Sequence, residues 1–175
     1  LLDPAAEDVT GHVLALLEDG LSLESLLLKL LAPAARHLGE LWEEDECDFV
    51  DVTLAIGRLH ALTRDLCGRL ETRDGRTNGR SILLIPCPGE THAFCLSIVA
   101  SFFREAGWDV TTAGAEAGLG LAQAEWFDVV GLTLSCDVLA PKLSVAVQDL
   151  RRTSFNRNVR ILVGGPLFAR NPEQL

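Results

Sequence analysis

Three short stretches in the second half of the chain hold side chains whose types and spacing could do chemistry. The first is Glu90-Thr91-His92. A carboxylate two residues before an imidazole can accept a hydrogen bond from one ring nitrogen. That fixes the tautomer and raises the basicity of the other nitrogen, the arrangement that commonly supports a metal-ligating histidine. A lone His at a helix entry is ordinarily just an exposed residue; Glu90 moves the reading toward a ligand. The second stretch, Thr133-Leu134-Ser135-Cys136, brings two hydroxyls that would otherwise only satisfy a strand end. The third, Gly164-Gly165-Pro166, has glycines suited to a turn or to the close approach of a ligand. The five cysteines, Cys47, Cys67, Cys87, Cys95 and Cys136, are odd in number and none is spaced C-x-x-C. They read as thiols in a reducing compartment. Cys47 and Cys67 suit the role of small buried hydrophobes. Cys87, Cys95 and Cys136 fall at element ends, where a three-thiol metal site is conceivable but lacks paired spacing. No nucleophile with its base and orienting group, no phosphate loop and no paired carboxylates are legible, so no catalytic residue is assigned.

The elements that must position these stretches follow from hydrophobic periodicity. From Asp3 to about Leu70 the pattern is helical. Asp3 caps a helix opening at Pro4, with Val9, Val13, Leu16 and Leu17 on one face until Gly20. Ser22 opens a second helix carrying Leu23, Leu26, Leu27, Leu30 and Leu31. Pro33 is expected to break or kink it, and a third helix runs through Leu38, Leu41 and Trp42. After an acidic turn at residues 43–48, a fourth helix spans residues 49–70, with Val52, Ile56, Leu59, Thr63 and Leu66 in register. Short connections make this an antiparallel four-helix bundle over residues 1–70. Residues 71–80, polar and with two glycines, read as a linker.

Residues 81–175 change period. Strands are predicted at 81–86, 108–112, 128–134 and 159–163, with helices at 92–106, 115–125 and 139–152 between them. Alternating strands and helices predict an α/β domain, a doubly wound parallel sheet of flavodoxin-like type. Ligands on such sheets sit over the carboxyl ends of the strands. Residues 86–94, 134–138 and 164–168 should therefore share one rim. The usual fifth strand and last helix are missing after the fourth strand, and the expectation is a truncated domain.

Composition sets the outer limits. Hydrophobic residues are 48% and charged residues 23% of 175, a globular balance. Against 15 basic residues stand 25 acidic ones, a formal net charge of −10 that repels a phosphate backbone. Direct nucleic-acid binding is not expected. No apolar run is long enough to span a bilayer and no signal segment is legible, so a cytoplasmic protein without membrane contact is expected.

On these elements the three rim stretches resemble the cobalamin-binding Rossmann-like domain. That family carries D-x-H-x-x-G after its first strand, S-x-L or a variant after the third, and Gly-Gly after the fourth. The helical half is similar to the family's bundle cap, through Leu38-Gly39-Glu40-Leu41-Trp42 and Phe49, Val52, Thr53 and Ala55. The resemblance covers nearly the whole chain. It implies that His92 is the lower axial ligand of cobalt, supported by Glu90. The nucleotide tail would lie by Thr91, Thr133, Leu134, Ser135, Gly164, Gly165 and Pro166, with Trp42 on the upper side.

Departures narrow it further. Glu90 stands for Asp and Cys95 for Gly, while Val52 and Thr53 replace the Glu-His of light-sensing repressors. Together with Pro88-Gly89-Glu90, Phe102-Phe103-Arg104 and Gly164-Gly165-Pro166, they look like the AerR/PpaA/AppA-type antirepressors, first described as sensors containing heme instead of cobalamin. That subgroup implies a non-enzymatic sensory domain, responsive to light or redox state, acting on a PpsR/CrtJ-type repressor by protein contact. Cobalamin is the favoured cofactor. Heme is the alternative, hinted at by the single His and by Cys87-Pro88, which resembles a heme-regulatory motif. A corrinoid carrier subunit of a methyltransferase and an interaction domain without ligand are the competing functions.

Overall fold

The computed structural model describes residues 9–71, 77–91 and 94–170. The expected helix start at Asp3 and Pro4, linker residues 72–76, the Cys67 side chain and His92 lie outside the described residues. The chain divides into two compact units, Leu1–Arg73 and Asp74–Leu175.

In the first unit, helix α1 is Val9–Glu18, with Val13 buried. Ser22 caps the next helix as expected: its hydroxyl accepts from the Ser25 N–H at 3.2 Å. Pro33 does not break that helix. Leu23–Leu26 (α2) passes through a π-helical stretch, Leu27–Leu31, directly into Ala32–Glu43 (α3), and the joining residues keep right-handed helical backbone. A proline inside a helix lacks an N–H and crowds the preceding turn. The widened turn just before Pro33, where the Ala32 N–H reaches back to the Leu27 carbonyl, accommodates both demands. Leu23, Leu26, Leu27, Leu31 and Leu38 are buried, whereas Leu30, expected on the same face, is exposed.

The acidic turn that follows is solvated, with Asp45 at φ 57°. Helix α4, Phe49–Glu71, buries Ala55, Leu59, Leu62, Thr63 and Leu66. The Thr63 hydroxyl, fully buried, donates to the Leu59 carbonyl at 2.8 Å, so it enters the core without an orphaned polar group. Cys47, expected to be buried, is half-exposed beside Glu46, Asp48 and Asp51; partial desolvation first, then those carboxylates, push its thiol up.

The second unit is a four-stranded parallel sheet in the order β2-β1-β3-β4. Its strands are β1 Ser81–Pro86, β2 Asp109–Thr112, β3 Val129–Thr133 and β4 Arg160–Gly164. Helices α5 (Phe94–Glu105), α6 (Ala115–Ala124) and α7 (Ala140–Thr153) alternate with them, a 3-10 turn at Asp137–Leu139 leads into α7, and α8 (Pro166–Arg170) follows β4. Ile82, Leu83, Leu84 and Ile85 are all buried, as a strand covered on both faces requires. Burying each of those side chains contributes roughly 1.5–3 kcal/mol relative to exposure. Leu83 and Ile85 pack with Phe127, Leu143 and Leu150; Ile82 and Leu84 pack with Leu96, Ala100 and Phe103. Residues 77–80, expected within the linker, are tied to this unit. The Asn78 N–H donates to the Gly107 carbonyl at 2.7 Å and the Asp109 N–H to the Arg80 carbonyl at 2.8 Å. Among the described residues no helix is long and apolar enough to cross a membrane.

Candidate functional site

The strand order places a switch point between β1 and β3: from β1 the chain goes to one side for β2 and to the other for β3. Crevices outside the carboxyl ends of the strands at such a point are where ligands bind on open α/β sheets. The register aligns Pro86, Thr133 and Gly164 across that end. One residue further on the ladder still holds, with the Cys87 N–H on the Thr133 carbonyl and the Leu134 N–H on the Gly164 carbonyl, each at 2.9 Å.

Beyond Cys87 the first loop turns sharply. Pro88 and Gly89 occupy the corner, Gly89 has φ 90°, and the Glu90 N–H donates to the Cys87 carbonyl at 2.8 Å. Pro followed by a left-handed Gly is the signature of a type II turn. The turn sends Glu90 back over the end of β3. There its Oε2 accepts the Ser135 N–H at 2.7 Å and the Ser135 hydroxyl in a short bond. The two hydrogen bonds to one carboxylate oxygen lock the loops after β1 and β3 together. Spacing alone pairs Glu90 with His92, which lies outside the described residues, and does not show this contact with Ser135. The Pro88-Gly89 corner was the available signal.

On the other side of β3, Gly165 has φ 121°. A Cβ there would stand 2.3 Å from the Leu134 carbonyl oxygen, so only glycine lets the two strand ends come this close. Gly164 differs: nothing lies within 4 Å of the point a Cβ would occupy. Leu134 is fully buried and supports the rim from beneath, while Thr133 and Ser135 are half-buried and Thr91 is exposed. The structure thus brings Glu90, Thr133, Leu134, Ser135, Gly164, Gly165 and Pro166 to one rim. Trp42 belongs to the other unit, where it is 46% exposed and meets Phe49 edge-on with ring centroids 6.3 Å apart. It is therefore no core residue of the bundle.

The cysteine readings resolve differently. Cys87 has 0% exposure; burial first, then the Glu90 charge, push its thiol up, and Lys142 opposes them. With its side chain closed off from the surface, Cys87 offers a heme iron no accessible sulfur, so the Cys87-Pro88 hint at heme has no support. Cys95 and Cys136 are exposed. Among the described residues no three His, Cys, Asp or Glu side chains form a group that could hold an ion. A metal that arrives within a macrocycle asks less of the protein, an axial donor and a surface. The half-buried Thr133 and the space within 4 Å of a Cβ position on Gly164 leave the rim open to such a group. Lys142, whose Nζ would lie 2.9 Å from a Cβ on Gly89, is a cation at the back of the first loop that the sequence did not point out.

Comparison with known proteins agrees with this geometry. The B12 binding domain family matches residues 80–175, and a second B12 binding domain family matches residues 3–62. An uncharacterized 20.5 kDa protein in the bchF-crtJ intergenic region of Rhodobacter capsulatus is 30% identical over 158 residues, covering 87% of this chain and 81% of that protein. The monomethylamine corrinoid protein of Methanosarcina barkeri shares the fold. Its TM-score is 0.70 at 14% identity, covering 87% of this chain and 74% of that one. By the match over the whole sheet unit, this chain belongs to the B12-binding domain family.

Proposed function

We propose that the chain is a cobalamin-binding sensory domain that reports light or redox state to a PpsR/CrtJ-type repressor by direct contact. The single observation that carries the cofactor assignment is the Glu90–Ser135 lock at the switch point. A carboxylate already fixed by two donors is preorganised as an acceptor for an imidazole two residues on, so Glu90 is the positioning residue for His92. In this reading His92 would be the residue that holds the cobalt. Thr133, Ser135, Gly164 and Gly165 would hold the nucleotide tail. Cobalamin, when bound, would supply chemistry that responds to light and to oxidation state. The partner reading draws support from the Rhodobacter capsulatus relative, a protein of the bchF-crtJ intergenic region.

Absorption spectra of the protein reconstituted with hydroxocobalamin, with hemin as the comparison, test the assignment. Wild type is expected to bind cobalamin with the nucleotide base displaced from cobalt. His92→Ala should lose or change that spectrum, and Glu90→Ala should weaken binding by roughly 10–100-fold, the usual effect of removing a ligand's support. An unchanged spectrum and affinity in His92→Ala would show the axial assignment to be wrong. Methyl transfer from a reconstituted methylcobalamin form to an acceptor would move the corrinoid-carrier reading ahead.

A further inference from the structure

At the end of the sheet opposite Glu90 and Ser135, the loops entering β3 and β4 are locked together. The Phe155 N–H donates to the Ala122 carbonyl and the Asn156 side-chain amide to the Phe127 carbonyl, each at 2.8 Å. The Arg160 N–H donates to the Asp128 carbonyl at 3.1 Å, and Asn156 Oδ1 accepts from the Asn158 N–H at 2.9 Å. This stiff frame holds two large rings out to solvent: Trp126 is 56% exposed and Phe155 59%. Around them residues 151–160 carry Arg151, Arg152, Arg157 and Arg160 and no acid, in a chain whose net charge is −10.

Two of the four arginines have internal roles. Arg152 pairs with Asp149 at 2.7 Å, and Arg157 donates to the Arg152 carbonyl near the end of α7. Arg151 and Arg160 are exposed, and their side chains make no hydrogen bond or ion pair among the described residues. Phe155 likewise makes no ring contact among the described residues, while the Trp126 indole N–H donates to Asp128 Oδ1 at 3.4 Å and leaves its ring face to solvent. Arginine and aromatic rings are the residue types that concentrate binding energy at protein interfaces, and the guanidinium fork matches a carboxylate.

We propose that this base of the sheet is a docking surface for an acidic segment of a partner protein that also carries an apolar anchor side chain. A nucleic acid fits less well. The field of the whole chain repels phosphates, and the surface also carries the carboxylates of Asp128, bonded to Trp126, and Asp149, paired with Arg152. A peptide can set its carboxylates against Arg151 and Arg160 alone; a phosphate backbone cannot avoid the acids. The proposal does not rest on the cofactor reading, because the surface lies at the far end of the strands from it.

The test uses the full chain, a short peptide of repeated Glu-Glu-Leu-Asp units, its Lys-Lys-Leu-Lys counterpart, and an oligothymidine of matched charge, titrated at low and at physiological salt. The acidic peptide is expected to bind and to weaken with salt, the basic peptide and the oligonucleotide to bind less. Arg151→Glu with Arg160→Glu should weaken the acidic peptide by about tenfold or more, and Phe155→Ser by several-fold, as central interface residues do. All three sites are exposed, so thermal unfolding of the variants should match wild type. Absence of acidic-peptide binding at low salt, or equal binding by wild type and variants, overturns the proposal. Tighter binding of oligothymidine overturns it in favour of nucleic acid.

Discussion

Glu90 shows how one carboxylate can be legible in type and illegible in partner. Its identity and its spacing from His92 single it out in the sequence. Its bond to Ser135, 45 residues away, depends on the β1–β3 register and on the turn at Pro88-Gly89. Sequence-local reasoning sees i to i+2 neighbours and not two loops meeting across a sheet. The glycine pair was more readable, because close approach is a property of glycine itself. The residues divide the two offered roles between them, Gly165 making the close approach and Gly164 leaving open space. Gly165→Ala is therefore expected to destabilise the domain by about 2–4 kcal/mol, from a backbone clash added to a left-handed φ. Gly164→Ala should cost much less stability, near the ~1 kcal/mol of an ordinary substitution, while still filling the open rim. Urea unfolding of both variants checks the ranking, and equal losses would mean that Leu134 is not the constraint.

At the scale of elements, periodicity located the strands and helices of the sheet unit to within a residue or two, because each buries one or both faces in a fixed pattern. It read Pro33 less well. A proline forbids one hydrogen bond, but the chain can widen the preceding turn instead of ending the helix, and which happens is decided by packing of Leu27 and Leu31. Also invisible was the clasp between the starts of β1 and β3, 47 residues apart. Asp128 Oδ2 accepts the Ser81 N–H at 2.8 Å. That bond, more than the Ser81 hydroxyl, the Trp126 indole or the Arg80 charge, holds the Asp128 carboxyl below its ordinary range against the opposing effect of desolvation. A carboxyl depressed in the folded state adds stability that is fully present above its unfolded value and is lost as pH falls through its folded value. Asp128→Asn should accordingly be less stable than wild type at neutral pH. The two should converge on acidification below the ordinary aspartate range, as followed by urea unfolding across pH. A gap that stays constant into strong acid would assign the effect to geometry and not to charge.

For the whole molecule the governing quantities are a net charge of −10 and a division into two compact units. An acidic protein gains little from DNA by counterion release, so no salt-dependent DNA affinity is expected of it. In the sensory reading any effect on transcription passes through a second protein. A stimulus can alter that partner's binding only by the difference in its affinity for two states of the chain, and a change of roughly 5–150-fold is the usual scale of such coupling. A PpsR/CrtJ-type repressor should therefore bind dark and illuminated cobalamin-loaded protein with different affinities. It should bind dark and illuminated His92→Ala alike, because in that reading His92 is the residue through which the cofactor's change reaches the protein. Titrating the repressor against these four samples, with dark and illuminated Arg151→Glu/Arg160→Glu as a fifth and a sixth, separates the two surfaces at once. If the arginine variant loses affinity while keeping its light response, the base of the sheet is the contact and the rim is the sensor. If all four samples bind identically, the chain does not signal through its cofactor, and the carrier function becomes the better account of a B12-binding fold.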